Sequence, residues 1–223
     1  MVLNDSQKNI IKKQFEKLTG DVELIVFTQE FECSFCKEAR ELVLEIGALS
    51  PKISTKVYDL VKDEEQAKKY NIKKIPATII AGIAGKSDYD IRYYGVPAGY
   101  ELPVIVDDTI DVSRGFTMLS DNVKKKLAEI TKPVHIQVFI SPTCPFCPKA
   151  ARIAHQLAIE NEFIRSDVIE MTEFPYLAQR YRVMSVPHTV INEDTSLVGL
   201  QPPEVFIEQI AMALRASFNP MYS

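Results

Sequence analysis

Apolar residues along the chain change repeatedly between helical spacing and short continuous runs. From Ile11 to Leu18 they fall at i, i+4 and i+7, as on one face of an amphipathic helix. Val22 to Thr28 is a continuous apolar run, which is typical of a buried strand. From Cys36 to Ile46 the helical spacing returns. The chain therefore begins with a predicted helix, strand and helix.

The same patterns continue to the other end of the sequence. In the first half they predict a strand over 53–60, a helix over 63–70, a strand ending at 80, a turn at 85–88, a strand over 90–95 and a helix over about 100–112. In the second half they predict a helix over 121–130, a strand over 134–140, a helix from 144, a strand over 163–169, a helix over 172–180, a strand ending at 191, a hairpin over 195–199 and a helix over 203–218. This alternation predicts an α/β fold, a mixed sheet with helices on its faces.

The second half repeats the first at a constant distance. Six chemically specific positions recur 111 residues later, as the pairs Cys33/Cys144, Cys36/Cys147, Tyr70/Tyr181, Ile75/Val186, Pro76/Pro187 and Thr78/Thr189. We therefore predict a duplicated domain. The expected units span residues 1–117 and 118–223, each with a four-stranded mixed sheet and flanking helices.

Composition narrows the class of protein. The 223 residues are 46% hydrophobic and 25% charged, as in an ordinary globular protein, and the net charge of −4 argues against nucleic acid as a partner. No run of 18 apolar residues indicates a membrane span, and the polar N-terminal segment lacks the apolar core of a secretory signal. We expect a cytoplasmic protein.

All four cysteines lie in two C-x-x-C pairs, Cys33-Ser34-Phe35-Cys36 and Cys144-Pro145-Phe146-Cys147. A disulfide that closes so short a ring stabilises by only about 2 kcal/mol in the loop-entropy model, so the pairs suggest chemistry rather than stapling. Each pair follows a predicted strand and opens a predicted helix, whose N-terminal end favours a thiolate. We predict that the first cysteine attacks a substrate disulfide and that the second displaces the product. Pro145 would then take the first helical position.

Further residues are expected around these cysteines. Phe35 and Phe146 would line a substrate groove, and His188, which follows Pro187, would tune the pKa of Cys144. Glu32 places negative charge beside Cys33 and disfavours its thiolate, whereas Cys144 has neutral neighbours. The sequence therefore predicts the lower thiol pKa at Cys144 and makes the second pair the stronger oxidant.

These features resemble the glutaredoxin and thioredoxin superfamily, and the double arrangement resembles the protein disulfide oxidoreductases, or glutaredoxin-like proteins, of thermophilic archaea and bacteria. The resemblance rests on Cys-Pro-Phe-Cys and on the segments Ile75-Pro76-Ala77-Thr78 and Val186-Pro187-His188-Thr189. It implies two tandem thioredoxin-fold units, in which a cis-proline faces each dithiol and Ile75 and Val186 offer backbone groups to an extended substrate. It also implies reduction, formation or isomerisation of disulfides in protein substrates, as in a protein disulfide isomerase. No bound cofactor or metal is expected; the disulfides Cys33–Cys36 and Cys144–Cys147 would carry electrons from a thioredoxin-reductase-type NADPH flavoenzyme.

The sequence departs from these families at two places. Thioredoxins place a buried Asp six residues before the first cysteine, where this chain has Phe27 and Val138, and no replacement proton acceptor is evident. Glutathione-using glutaredoxins carry a Gly-Gly and Asp signature after the hairpin, where this chain has Gly95-Val96-Pro97 and Gly199-Leu200-Gln201. Glutathione therefore stays open as a partner.

Three alternatives remain at this point. The chain could be a dedicated electron-transfer arm of a reductase or peroxidase system. The four cysteines could hold one structural zinc ion. Finally, the chain could be a peptide-binding module with incidental dithiols.

Overall fold

The computed structural model describes residues 2–82 and 88–216 of the chain. The first half contains eight regular elements: α1 (Asp5–Phe15), β1 (Val22–Thr28), α2 (Cys36–Gly47), β2 (Ile53–Asp59), α3 (Glu64–Lys69), β3 (Ala77–Gly82), β4 (Asp88–Tyr94) and α4 (Leu102–Arg114). The second half adds α5 (Asp121–Leu127), β5 (Val134–Ile140), α6 (Cys147–Glu160), β6 (Ile164–Glu170), α7 (Pro175–Arg180), β7 (His188–Ile191), β8 (Thr195–Val198) and α8 (Pro203–Ala216). A 3₁₀ turn at Gly99–Glu101 leads into α4.

The eight strands found among the described residues form one mixed sheet in the order β2-β1-β3-β4-β6-β5-β7-β8. Each half contributes four adjacent strands, and β4 joins β6 in a parallel ladder that pairs Tyr93 with Val168 and Tyr94 with Ile169. The predicted four-stranded mixed sheets are therefore present, and they are fused edge to edge. The division at residue 117 remains a prediction.

Helices cover both faces of this sheet, which is why most strand residues are apolar and buried. In β1, Leu24 and Val26 point into the larger core under α1, α2, α4, α5, α6 and α8, while Ile25 and Phe27 point into the smaller core under α3 and α7. Successive side chains of a strand alternate between faces, so both sets must be apolar. Tyr93 belongs to the first core.

Several element boundaries differ from those predicted. The helices that follow the cysteine motifs begin at Cys36 and Cys147, so Cys33 and Cys144 lie one turn ahead of them. The placement of Pro145 at the first helical position was therefore wrong; Pro148 lies in the first turn instead. Helix α5 ends at Leu127 rather than at residue 130. The predicted turn at 85–88 and the end of the last helix at 218 lie outside the described residues, apart from Asp88.

A buried polar cluster connects α4 of the first half to α6 of the second. Asp108 is fully buried and accepts hydrogen bonds from Arg152 and from Nδ1 of His155, the latter at 2.6 Å. Arg152 also donates to Asp111 at 2.5 Å. Buried charges are stable only when paired, so this cluster fixes α6 against the first half.

The described part of the chain contains no helix that is both long enough and apolar enough to cross a membrane.

Candidate active site

The two cysteine pairs occupy equivalent places in the two halves. Cys33 and Cys144 follow the carboxyl ends of β1 and β5 and are half-buried. Cys36 and Cys147 begin α2 and α6 and are 1% and 0% exposed. In each pair the first cysteine can thus be reached from solvent and the second is covered. This is the accessibility that disulfide exchange requires of an attacking and a resolving thiol.

The first pair is a disulfide in this structure, with the Cα atoms of Cys33 and Cys36 separated by 5.5 Å. Glu32, directly ahead of it, is exposed and has φ of 57°, in the left-handed region that few non-glycine residues adopt. The exposed Glu32 carboxylate therefore stands next to Cys33 in sequence, where a charge would act through solvent.

The second pair consists of two thiols. The Cys144 thiol donates to the Val186 carbonyl, with Sγ and O 3.7 Å apart, and the Cys144 amide donates to the Ser141 carbonyl at 3.0 Å. Burial raises the pKa of the Cys147 thiol, and its hydrogen bond with Cys144 raises it further. Cys147 thus needs a proton acceptor before it can attack.

The two predicted substrate-binding segments lie beside the strands β3 and β7. Both peptide bonds, Ile75-Pro76 and Val186-Pro187, are cis, as the family resemblance implied. Ile75 and Val186 are half-buried. The proline carbonyls accept equivalent hydrogen bonds, from Gly95 at 3.0 Å in the first half and from Gly199 at 2.8 Å in the second.

Apolar side chains are exposed at both motifs. Phe35 and Phe146, the residues immediately before α2 and α6, are 41% and 60% exposed. Met184, two residues before Val186, is 91% exposed. These side chains are available to an apolar partner.

His188 lies on β7 opposite Phe139, and its side chain shares the sheet face of Val190, away from α6. Its Nε2 atom lies 3.4 Å from Ser196 Oγ. Burial lowers the pKa of His188, so the ring is neutral near pH 7 and brings no positive charge. Its predicted effect on Cys144 remains a prediction.

Glu101 is a candidate site residue that sequence reasoning missed. It lies in the 3₁₀ turn ahead of α4, in the first half, and is 0% exposed. Neither of its carboxyl oxygens has a hydrogen-bond partner among the described residues. Burial raises the pKa of Glu101 to about 8, and its charge in turn raises the pKa of Cys147. An acid at the start of a helix is common on protein surfaces, so the sequence carried no signal of this burial.

Tyr93 and Glu173 are two further groups at the seam between the halves, and the charges of Glu101 and Glu173 both act on Tyr93. The Tyr93 hydroxyl is buried with no hydrogen-bond partner in the described chain, and its pKa is raised by burial and then by the charge of Glu101. Glu173 accepts from the Val96 amide at 2.7 Å, and burial raises its pKa to about 7. The second site therefore borders a buried acidic cluster with unsatisfied hydrogen-bonding capacity.

The zinc alternative requires the four thiolates to surround one ion. The structure places the pairs at the ends of β1 and β5, with β3, β4 and β6 between these strands. Within 2–82 and 88–216, no three potential metal ligands of the His, Cys, Asp and Glu types come together. This arrangement does not supply four thiolates to one ion.

Comparison with known proteins agrees with this geometry. A thioredoxin-domain family profile matches residues 134–212. A thioredoxin of Methanocaldococcus jannaschii is 37% identical over 82 residues, which are 36% of this chain and 96% of that protein. The crystal structure of a protein disulfide oxidoreductase from Aeropyrum pernix K1 superposes with a TM-score of 0.88 at 27% identity, covering 97% of this chain and 95% of that one.

A longer relative resembles both halves together. The alkyl hydroperoxide reductase protein AhpF of Staphylococcus aureus is 23% identical over 191 residues, which are 86% of this chain but only 34% of that protein. The chain thus spans about a third of the length of this curated relative.

Fold and site together define a thioredoxin-like disulfide oxidoreductase with two tandem units and two Cys-x-x-Cys sites. The match to the archaeal thioredoxin has 37% identity and covers nearly all of that protein, so it identifies the family of this chain. It belongs to the thioredoxin family.

Proposed function

We propose that the protein reduces, forms or isomerises disulfides in protein substrates through both cysteine pairs. The observation that carries this proposal is a half-buried first cysteine followed by a covered second cysteine at both sites, with the Cys144 thiol donating to the Val186 carbonyl at the second site. The units we assign are residues 1–117 and 118–223. We also propose that the protein acts in the cytoplasm, as expected from the sequence.

At the second site the reduction proceeds in two exchanges. The Cys144 thiolate attacks one sulfur of the substrate disulfide, forms a mixed disulfide and releases the other sulfur as a thiolate. Cys147 then loses its proton to Glu101 and attacks Cys144 Sγ, which releases the second substrate sulfur and leaves the Cys144–Cys147 disulfide. Two electrons pass to the substrate, and oxidation of a substrate dithiol is the same sequence reversed.

Glu101 suits the role of proton acceptor because it is sealed from solvent and because its carboxyl oxygens accept no hydrogen bond within residues 2–82 and 88–216. With a pKa of about 8, it is largely protonated at neutral pH and can still accept a proton in mildly alkaline solution. It would thus replace the buried Asp that thioredoxins carry on the strand, where this chain has Val138. Exposed Phe35 and Phe146, with Ile75 and Val186, would contact the substrate.

The proposed electron source is a thioredoxin-reductase-type NADPH flavoenzyme. The similarity to the alkyl hydroperoxide reductase protein AhpF favours a second candidate function, in which the chain is the electron-transfer arm of a reductase or peroxidase system. Both functions use the same thiol chemistry and differ in the partner.

The test compares wild type with two double variants, Cys33→Ser/Cys36→Ser and Cys144→Ser/Cys147→Ser. Each is assayed for insulin reduction and for the refolding of a protein with scrambled disulfides. We expect activity in wild type, partial loss in each double variant, and complete loss when all four cysteines are replaced. An active dithiol that is readily reduced by a thioredoxin reductase but fails in both protein assays would support the electron-transfer arm instead.

A further inference from the structure

The two cysteine pairs lie along one edge of the sheet. Ladder pairing aligns Phe27, Ala77, Tyr94, Ile169 and Phe139 in one row across β1, β3, β4, β6 and β5. The β1–β3 and β3–β4 pairs are antiparallel, and the β4–β6 and β6–β5 pairs are parallel. Strands β1 and β5 therefore run in the same direction. Their carboxyl ends, which lead to Cys33 and Cys144, therefore reach the same edge. Four strand spacings separate them, or about 19 Å.

A short segment of the first half connects the surroundings of the two sites and limits how far apart these surroundings lie. The Gly95 amide donates to the Pro76 carbonyl beside the first site, and the Tyr100 amide donates to the Pro142 carbonyl within the second motif. Five residues can span at most about 18 Å, so the two carbonyls lie within about 25 Å of each other, whatever the twist of the sheet. Tyr100 itself is 55% exposed between the sites.

We propose that a single client polypeptide engages both sites at once, with one of its cysteines on Cys33 and another on Cys144. The two distances together indicate a gap of about 19 to 25 Å, which corresponds to roughly six to eight extended residues. The preferred clients are therefore unfolded or flexible protein chains with two cysteines that each belong to a separate disulfide and lie about eight residues or more apart. This inference rests on the proposed function and adds the class of substrate.

The chemistry at each site is the same balanced exchange. Each cysteine thiolate attacks a client disulfide sulfur, one sulfur–sulfur bond forms and another breaks, and a thiolate leaves. Once the first mixed disulfide holds the client, the second exchange is intramolecular. A short flexible connection gives an effective concentration in the millimolar range, so at micromolar protein the second step should be on the order of 10³-fold faster than a separate encounter.

The experiment uses the full chain with both resolving cysteines removed, Cys36→Ser/Cys147→Ser. Two peptides are compared, each with two cysteines blocked as 2-thiopyridyl disulfides, separated by about twelve flexible residues or by about two. Each exchange releases one 2-thiopyridone, and intact mass reports the stoichiometry. With the long peptide in substoichiometric amount, we expect one-to-one complexes and a second release whose rate does not depend on protein concentration.

Matched controls keep only one attacking cysteine. Cys33→Ser/Cys36→Ser/Cys147→Ser retains Cys144, and Cys36→Ser/Cys144→Ser/Cys147→Ser retains Cys33. In both controls, and with the short peptide, the second release should be bimolecular and give two proteins per peptide. The inference is overturned if the long peptide behaves in the same way on the two-site protein. Failure of wild type with insulin and scrambled protein would instead reject the proposed function.

Discussion

The two dithiol sites share their cysteine geometry and differ in what packs around them. Helix α6, which carries Cys147, contacts β5 and β6 of its own half and also β4, α4 and the 3₁₀ turn of the first half. The principal contacts of α2, which carries Cys36, are with β1 and β2 of the same half. Duplication thus produced two copies of the motif, and α6 is the motif helix whose principal contacts extend across the junction between the halves.

The acids near the two sites differ in the same way. Glu30 and Glu32 adjoin the first pair in sequence but are exposed, so solvent screens their charge. Glu101 is 46 residues from Cys147 in sequence, yet it is buried and raises the pKa of that thiol. Proximity along the chain is therefore a poor guide to which acid acts on a thiol.

The largest expected effect comes from breaking the junction that only the second site shares. Asp108→Ala would remove the carboxylate that His155 bonds and one of the two carboxylates that Arg152 bonds, which costs about 3–5 kcal/mol. Urea unfolding measures this loss, and the thiols of α6 should become more reactive than those of α2. The matched control is Glu64→Ala, which removes an exposed pair with Lys68 worth at most about 0.5 kcal/mol. Equal losses in both variants would contradict a stabilising junction.

Glu101→Gln tests whether the buried acid serves the second site alone. Without a proton acceptor, attack by Cys147 on the mixed disulfide should slow by about 10²-fold, while the first pair keeps its rate. In wild type this step should accelerate as pH rises towards about 8, where Glu101 ionises. Rapid-mixing measurements on Cys33→Ser/Cys36→Ser, with and without Glu101→Gln, report the second site by itself. An unchanged pH profile would remove Glu101 from the mechanism.

The same acids should make native stability depend on pH. Burial raises the pKa of Glu101 to about 8 and that of Glu173 to about 7, so the folded state binds these protons more tightly than the unfolded chain. Their contribution is complete below the ordinary pKa of about 4.5 and is lost as pH rises through 7 to 8. The difference between the melting temperatures at pH 5 and pH 8.5 should therefore be smaller in Glu101→Gln/Glu173→Gln than in wild type. The same difference in both proteins would show that other groups control the pH dependence of stability.

A smaller difference is expected in redox potential. The neutral neighbours of Cys144 and the acidic neighbours of Cys33 predict that the second pair is the stronger oxidant, by at most about 20 mV or roughly 1 kcal/mol for two electrons, because each exposed acid contributes only a few tenths of a kcal/mol. Titration of Cys144→Ser/Cys147→Ser and Cys33→Ser/Cys36→Ser against a glutathione buffer gives each potential separately. Equal values, or the reverse order, would contradict the prediction.

The smallest effect concerns the exposed acid itself. Glu32→Gln should make the first pair more oxidising by only a few millivolts to about 10 mV, because an exposed charge contributes a few tenths of a kcal/mol. The difference from wild type should vanish at high salt. The second pair in the same protein is the internal control, and a shift there would point to a general perturbation.

Much of the fold could be read from local patterns. The apolar run from Val22 to Thr28 and the spacing from Cys36 to Ile46 correspond to β1 and α2 with errors of at most one residue. The 111-residue repeat correctly indicated two similar units in tandem. These features depend on side-chain periodicity and on chemically distinctive residues, which a single sequence displays directly.

The missing information concerned contacts between distant segments. The sequence around Tyr93 and Ile169 does not indicate that β4 pairs with β6, because all buried strands have similar apolar sequences. Asp108 and Glu101 look like ordinary helix acids until α6 covers them. The predicted helix began at residue 144, whereas α6 begins at Cys147; the error arose because Pro145 and Pro148 both fit a first helical turn.

The ladder between β4 and β6 has a consequence for any attempt to divide the molecule. Each of these strands is mostly buried. Separation of the halves would expose β4 and β6 as sheet edges with unpaired backbone groups. Isolated units would be prone to aggregate or to recombine through those edges. In the intact chain each half thus covers an open strand edge of the other.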